Sequence, residues 1–277
     1  MPHGWRAAVR HMIAPMELGL RGRRAVVGGA SSGIGAAIAG GLAAEGCSLL
    51  IWSRDEAHLA PVADDLRARY GVDVATAAVD AGDPAAPELL EQAVIGSLGS
   101  ADICVLNAGG PAPVDPLETD VDGWRAAFAS LAIHPILLAS RLIGPMRERG
   151  WGRIVACLSW SVKEPIPELV YSTAGRSALA AWMKTVAPLV AADGVTINGI
   201  LTGPIATPRI EDLDRSRAER EARDLDEVRA ERIGSIPAGR LGKPEELASL
   251  AAYLCSEPAG FQTGTFTLVD GSLVRAL

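Results

Sequence analysis

Seven short runs of β-branched and other apolar residues recur along this 277-residue chain, and most of the intervening stretches are Ala-rich and long enough for one helix. The runs are Ala25–Val27, Ser48–Trp52, Val72–Val79, Ile103–Leu106, Arg153–Leu158, Thr196–Leu201 and Thr265–Val269. Strands separated by helices pair in parallel, because each helix carries the chain back to the end of the sheet it left. A parallel sheet in turn needs helices on both faces, and that requirement explains why the runs are apolar rather than alternating. The expectation is therefore an α/β fold with a doubly wound, parallel seven-stranded sheet in a single domain over residues 18–277. Helices are expected over 33–45, 55–69, 84–98, 117–149 with a break inside, 172–192 and 245–256. Residues 1–17 precede the first such signal and are expected to form a poorly ordered extension. No internal repeat and no Pro/Gly/Ser linker divides the rest.

Composition narrows the partners. The chain carries 26 basic against 33 acidic residues, a formal net charge of −7, so nothing in the overall charge supports nucleic-acid binding. No uninterrupted apolar run reaches the roughly 18 residues of a membrane span, and the start lacks a secretory apolar stretch. Cys47, Cys104, Cys157 and Cys255 are widely spaced with no CxxC pair, which suits reduced core thiols in a cytoplasmic protein without metal. A small-molecule substrate is the expected partner. The stretch Glu211–Arg232 is charged at nearly every other position with both signs mixed. It reads either as a solvated helix laced with i,i+4 pairs or as an insertion over a substrate cleft.

The first strand runs into Gly28-Gly29-Ala30-Ser31-Ser32-Gly33-Ile34-Gly35, inside which an Ala-rich helix begins. Strand, glycine turn and helix N-terminus together make a Rossmann-type cradle for a dinucleotide pyrophosphate: small residues let it approach, and free N–H groups face it.

With this loop, Leu106-Asn107-Ala108-Gly109, Asp80, Thr202-Gly203-Pro204-Ile205-Ala206-Thr207 and the tail from Gly239-Arg240 to Val269-Asp270-Gly271, the chain resembles the short-chain dehydrogenase/reductase family over residues 20–273. Gly28 stands where that family usually has Thr. The resemblance implies a nicotinamide dinucleotide held by Gly29, Ser31, Ser32, Gly33, Ile34, Gly35, Asp80, Asn107, Ala108, Gly109, Gly203 and Ile205. It also implies a homo-oligomer, tetramer or dimer, packed through long helices. At the end of the second strand, Ser53 and Arg54 replace the carboxylate that would hold the ribose hydroxyls of NAD(H). A guanidinium there suits a 2′-phosphate, so NADP(H) is expected, although Asp55 is adjacent.

The chemistry implied by the family is hydride transfer at a carbonyl or alcohol, using Ser, Tyr, Lys and Asn. Ser159 matches the Ser. The family's spacing then lands on Ser172 for Tyr and Arg176 for Lys, while the Asn position holds Leu131. Tyr171 lies one place early. Positions 172 and 176 share a helix face, whereas 171 and 176 are about 140° apart around the axis, so Tyr171 meets Arg176 only if the helix starts after it. Ser159, Tyr171 and Arg176 are the candidate catalytic residues, with Ser172 as the rival for the acid position. Pro135 should break the helix at Leu131 by leaving its carbonyl without a donor. His134 reads as a proton carrier or a satisfied core residue, and Lys163, Glu164 and Glu168 read as acid–base groups or plain loop charges. The expectation is an NADP(H)-dependent oxidoreductase with an altered site. A non-redox isomerase, cyclase or lyase, or a cofactor-binding pseudoenzyme, stays open on the same fold.

Overall fold

The computed structural model describes residues 17–276, so all but the last residue of the expected N-terminal extension lies outside the described residues. The strands are β1 Arg24–Gly28, β2 Ser48–Ser53, β3 Val74–Ala78, β4 Ile103–Leu106, β5 Gly152–Ser159, β6 Val195–Thr202 and β7 Phe266–Val269. They pair in parallel throughout, in the order β3-β2-β1-β4-β5-β6-β7. Strand order reverses between β1 and β4, and the crevice at that reversal is where a doubly wound sheet receives its ligand.

The helices are α1 Gly33–Ala44, α2 Glu56–Tyr70, α3 Ala86–Leu98, α4 Val121–Phe128, α5 His134–Glu148, α6 Val170–Val190, α7 Pro208–Glu221, α8 Leu225–Ser235 and α9 Pro244–Leu254. On one face Ile38, Leu42, Leu59, Leu66, Leu247 and Ala251 from α1, α2 and α9 are buried against the sheet. On the other, Leu90, Leu138, Leu142, Met146, Leu179 and Met183 from α3, α5 and α6 do the same. Covered on both sides, the middle strands are buried except at Ser159 and Thr202, which end β5 and β6, as their continuous apolar runs require.

Between α4 and α5 the chain forms a π turn over Ala129–Ile133. The expected break is therefore real. Pro135 has no N–H for the Leu131 carbonyl and its ring would collide with that oxygen, so the helix widens by one residue. An 18-residue window within Val121–Glu148 is apolar enough to span a membrane by composition, with mean hydropathy 1.6. Here its inner residues Ala127, Leu131, Leu138, Leu142 and Met146 pack into the protein instead.

Two of the sequence expectations change. First, α6 begins at Val170, before Tyr171, so the late start that would have let Tyr171 reach Arg176 does not occur. Second, the charged stretch is two helices, α7 and α8, cross-linked on the outside by Arg217 and Arg223 to Glu221 and Glu231. The stretch has two faces. Its outer face is a solvated ion-pair network, while Ile210, Leu213 and Arg232 line the cleft beneath.

Candidate active site

The glycine turn leaves β1 with Gly29 at φ +59° and Gly33 at φ +56°, a left-handed backbone that favours glycine. Space is as restrictive as torsion: a Cβ on Gly35 would stand 2.2 Å from the Gly29 carbonyl oxygen, and one on Gly29 would stand 2.7 Å from Asn107 Nδ2. Asn107 donates to the Gly28 carbonyl at 3.0 Å and so locks the loop after β4 to the loop after β1. Ser32 occupies the N-cap of α1 but makes no side-chain cap bond there. The N-terminal N–H groups of α1 are thus left for a ligand, as a pyrophosphate needs.

The cleft above the strand ends is lined by Gly29, Ser32, Gly33, Ile34, Asn107, Ala108, Gly109, Gly203 and Ile205 among others. Nine of the thirteen expected cofactor positions therefore meet along one groove. The other four sit at its margins. Gly35 is buried under the turn, Ser31 is half-buried within it, and Arg54 and Asp80 are exposed at the ends of the two neighbouring strands. Asp80 accepts the Gly82 N–H at 2.8 Å, which fixes the turn after β3. Asp55, the complication beside Arg54, is engaged elsewhere: it caps α2 by accepting from Ala57 N at 2.8 Å and pairs with His58 at 3.0 Å. Arg54 has no acidic partner among the described residues. The small turn, the uncapped helix end and the unmatched guanidinium fit a dinucleotide bearing a 2′-phosphate.

At the other end of the cleft stand Ser159, Ser172 and Arg176. Ser159 Oγ caps the short turn that follows β5 by accepting from Ser161 N at 3.1 Å. Arg176 Nε donates to Ser172 Oγ at 3.3 Å, as the i,i+4 spacing on α6 predicts. Its Nη1 and Nη2 donate to the Cys157 and Ala108 carbonyls at 2.6 Å and 3.1 Å, so this one side chain ties β5 to the loop after β4. Burial, with a further push from Arg209, pulls the Arg176 guanidinium down to about 10, so it keeps its charge at neutral pH.

Tyr171 does not join them, and its candidacy as the acid is corrected. The side chain is only 5% exposed and turns toward α4, where Trp124 packs edge-on with ring centroids 4.8 Å apart. Its hydroxyl accepts from Asp120 N at 2.9 Å and donates to Asp120 O at 3.3 Å, so it is fully occupied as an anchor. The reason is the helix period: one residue of register rotates the phenol by about 100° out of the cleft.

Other expected groups resolve as structural. His134 Nδ1 lies 2.6 Å from the Ala81 carbonyl; a carbonyl can only accept, so Nδ1 carries the proton and the ring is a satisfied tether. Glu164 accepts from the backbone of Arg275 and Ala276 and holds the C-terminal tail. Leu131 is buried against Gly175, whose missing side chain lets α6 approach the π turn. The four thiols are free and buried, and burial pushes Cys47, Cys104 and Cys157 up to about 12.

Sequence reasoning missed Arg209 and Arg232, which α7 and α8 bring to the cleft. A signal existed: Arg209 lies two residues beyond the Thr207 that closes the recognised motif.

A family profile described as enoyl-(acyl carrier protein) reductase matches residues 29–273. The chain belongs to the short-chain dehydrogenase/reductase family. Among solved structures it resembles the L-sorbose reductase of Gluconobacter frateurii complexed with NADPH and L-sorbose, with TM-score 0.89 and 32% identity over 95% of this chain and 100% of that one. An actinorhodin polyketide ketoreductase with NADPH is similar at TM-score 0.87 and 27% identity, over 92% and 98% of the two chains. The NADPH-dependent reductase BacG of Bacillus subtilis is 28% identical over 92% of this chain and 99% of its own length. In this short-chain dehydrogenase/reductase, then, one cleft runs from the glycine turn to Ser159, Ser172 and Arg176.

Proposed function

We propose that the chain is an NADP(H)-dependent oxidoreductase acting on the carbonyl or alcohol of a small molecule, with a proton site rebuilt around Ser172 and Arg176. The observation that carries the reading is the continuous cleft from the uncapped α1 N-terminus to Ser159 and Ser172. Named relatives that bind NADPH or reduce carbonyls weigh in favour of redox chemistry over an isomerase, cyclase, lyase or pseudoenzyme.

In such a reaction the nicotinamide supplies or accepts the hydride at the substrate carbon. Ser159 and Ser172 would orient the substrate oxygen by hydrogen bonding. The charge of Arg176 behind Ser172 would favour negative charge growing on that oxygen. Among the described residues, none lining the cleft is a Tyr, His, Lys, Asp or Glu, so the proton would come from water beside Ser172 and Arg176 rather than from a tuned side chain. General acid catalysis is worth about 10²–10⁴-fold, so reduction of simple ketones should be slow by that margin. The test is NADPH oxidation against a panel of carbonyl compounds, together with equilibrium binding of NADPH and NADH. Tight NADPH binding with slow, Ser172-dependent turnover is expected. Turnover at tens per second that Ser172→Ala leaves unchanged would refute this site, and cofactor binding without any turnover would return the pseudoenzyme.

The protein is further proposed to be cytoplasmic and to assemble as a homo-oligomer, tetramer or dimer. Exposed Ile133 and Leu137 on the outer face of the π turn and α5, with Leu189 on α6, support self-association.

A further inference from the structure

The substrate end of the cleft has an unusual charge inventory. Among the described residues three arginines line it, Arg176, Arg209 and Arg232, and no carboxylate does, although the chain as a whole is acidic. Arg232 is neutralised, since its Nε donates to the buried Asp214 at 2.5 Å. Arg209 is not. It reaches across from the start of α7 and donates one bond, Nη2 to the Pro111 carbonyl at 2.6 Å, with no acidic partner within ion-pair distance among the described residues. A guanidinium has five N–H groups, so most of its donors remain for a ligand.

The positions converge. A Cβ built on Gly110 would lie 3.4 Å from Arg209 Nη2, 3.5 Å from Ser172 Oγ and 4.0 Å from Arg176 Nη2. Two cations and the hydroxyl at the altered acid position therefore surround one small space that a glycine leaves open. Burial lowers both Arg176 and Arg209; the Arg209 charge lowers Arg176 further, while Asp212 partly offsets the effect of burial at Arg209. Such a pair, withdrawn from water and with no acidic partner in ion-pair contact among the described residues, is relieved when an anion enters.

We propose that this space receives the carboxylate of the substrate, so that the carbonyl compound reduced is an oxo acid with its carboxylate adjacent to the reacting carbon. The inference rests on the redox reading above and names the substrate class for that same site. Adjacency follows from Ser172: the hydroxyl assigned to the carbonyl oxygen borders the same space as the guanidinium ends, which leaves no room for a long spacer. Arg209 presents a planar fork suited to two parallel bonds with a carboxylate. Arg176, its donors largely spent on backbone carbonyls, contributes charge from behind.

The experiment pairs binding with turnover. With the NADP⁺-loaded protein, calorimetry should show oxamate binding and its uncharged amide, oxamide, not binding. Arg209→Met should weaken oxamate by about 10–100-fold, Arg209→Lys should recover part of that loss, and NADPH affinity should stay within about twofold. In NADPH oxidation, pyruvate should exceed methyl pyruvate by at least about tenfold in kcat/KM, and the ratio should fall toward one in Arg209→Met. Oxamate binding no better than oxamide, inorganic phosphate binding more tightly than oxamate, or an equal loss of NADPH and oxamate affinity in Arg209→Met would overturn the proposal. The last result would assign Arg209 to the cofactor. The two readings fail separately: Arg209-dependent oxamate binding without turnover of any ketone keeps the anion site and removes the redox reading. Equal reduction of acid and ester does the reverse.

Discussion

Single side chains decide most of the chemistry proposed for this protein, and the clearest case is Arg54. It is exposed at the end of β2, with Asp55 turned to the α2 N-cap and His58 and no acidic partner of its own among the described residues. Arg54→Ala should therefore weaken NADP(H) binding by about 1.5–3 kcal/mol, the usual worth of a hydrogen bond to a charged group, and leave NAD(H) nearly unchanged in the same titration. Equal loss for both cofactors would show that Arg54 does not read the phosphate. Tyr171 and Ser172 make a matched pair of opposite kind. Tyr171→Phe strands the Asp120 N–H, so it should cost about 1–2 kcal/mol in a urea titration while kcat changes less than about twofold. Ser172→Ala should do the opposite: stability is kept and turnover falls about tenfold, equivalent to roughly 1.4 kcal/mol. A large loss of turnover in Tyr171→Phe would restore the phenol as the acid.

At the scale of elements, two joints carry the site. One is the π turn, where Pro135 forces the helix wide and Gly175 lets α6 nest against Leu131. The other is the clamp at the base of the sheet, where Arg24 donates from both its backbone N and its side chain to the buried Asp102 at 2.8–3.0 Å and joins β1 to the start of β4. Burial alone would raise the Asp102 carboxyl, but the Arg24 hydrogen bonds and the nearby Arg149 charge outweigh it and hold it below the ordinary range. A carboxyl depressed in the folded state contributes stability that is fully present above its unfolded value, about 3.9, and is lost as pH falls through the folded one. Stability measured by denaturant should thus decline as pH drops below about 4. Asp102→Asn should be less stable at pH 7 by about 3–5 kcal/mol, because it leaves Arg24 without its counter-charge, and should lose less of its remaining stability on acidification. An unchanged midpoint at pH 7 would show that the clamp contributes nothing.

For the whole molecule, the unanswered surface is apolar. Ile133 in the π turn, Leu137 on α5 and Leu189 on α6 are 48%, 45% and 69% exposed. Isolated exposed apolar residues are common, and these three are candidates for contact with a second copy related by two-fold symmetry. Sedimentation at micromolar concentration should give a mass at least twice that of the chain, and Leu137→Glu with Leu189→Glu should lower it without unfolding the sheet. A wild-type monomer would remove the assembly proposal.

The alternation of apolar runs and Ala-rich stretches determined the sheet, its parallel sense and the strand positions to within a residue or two, because burial on both faces leaves a periodic mark in each local segment. The glycine turn was equally legible, since the backbone at Gly29 and the crowding at Gly35 are demands that the local chain must meet. Pro135 announced the break in its helix for the same reason. The active end was legible only as a list of rivals. Whether Tyr171 or Ser172 entered the cleft depended on where α6 begins, and that start is set by contacts with Asp120 and Trp124 about fifty positions earlier in the chain. Arg209 carried only a slight local mark, its place two residues beyond Thr207: its role arises because β4 and β6 flank β5, so that the loops beyond them bring Gly110, Ser172 and Arg176 to meet it. Periodicity and turn chemistry are properties of neighbouring residues, whereas a site is made by groups that only the closed sheet brings together.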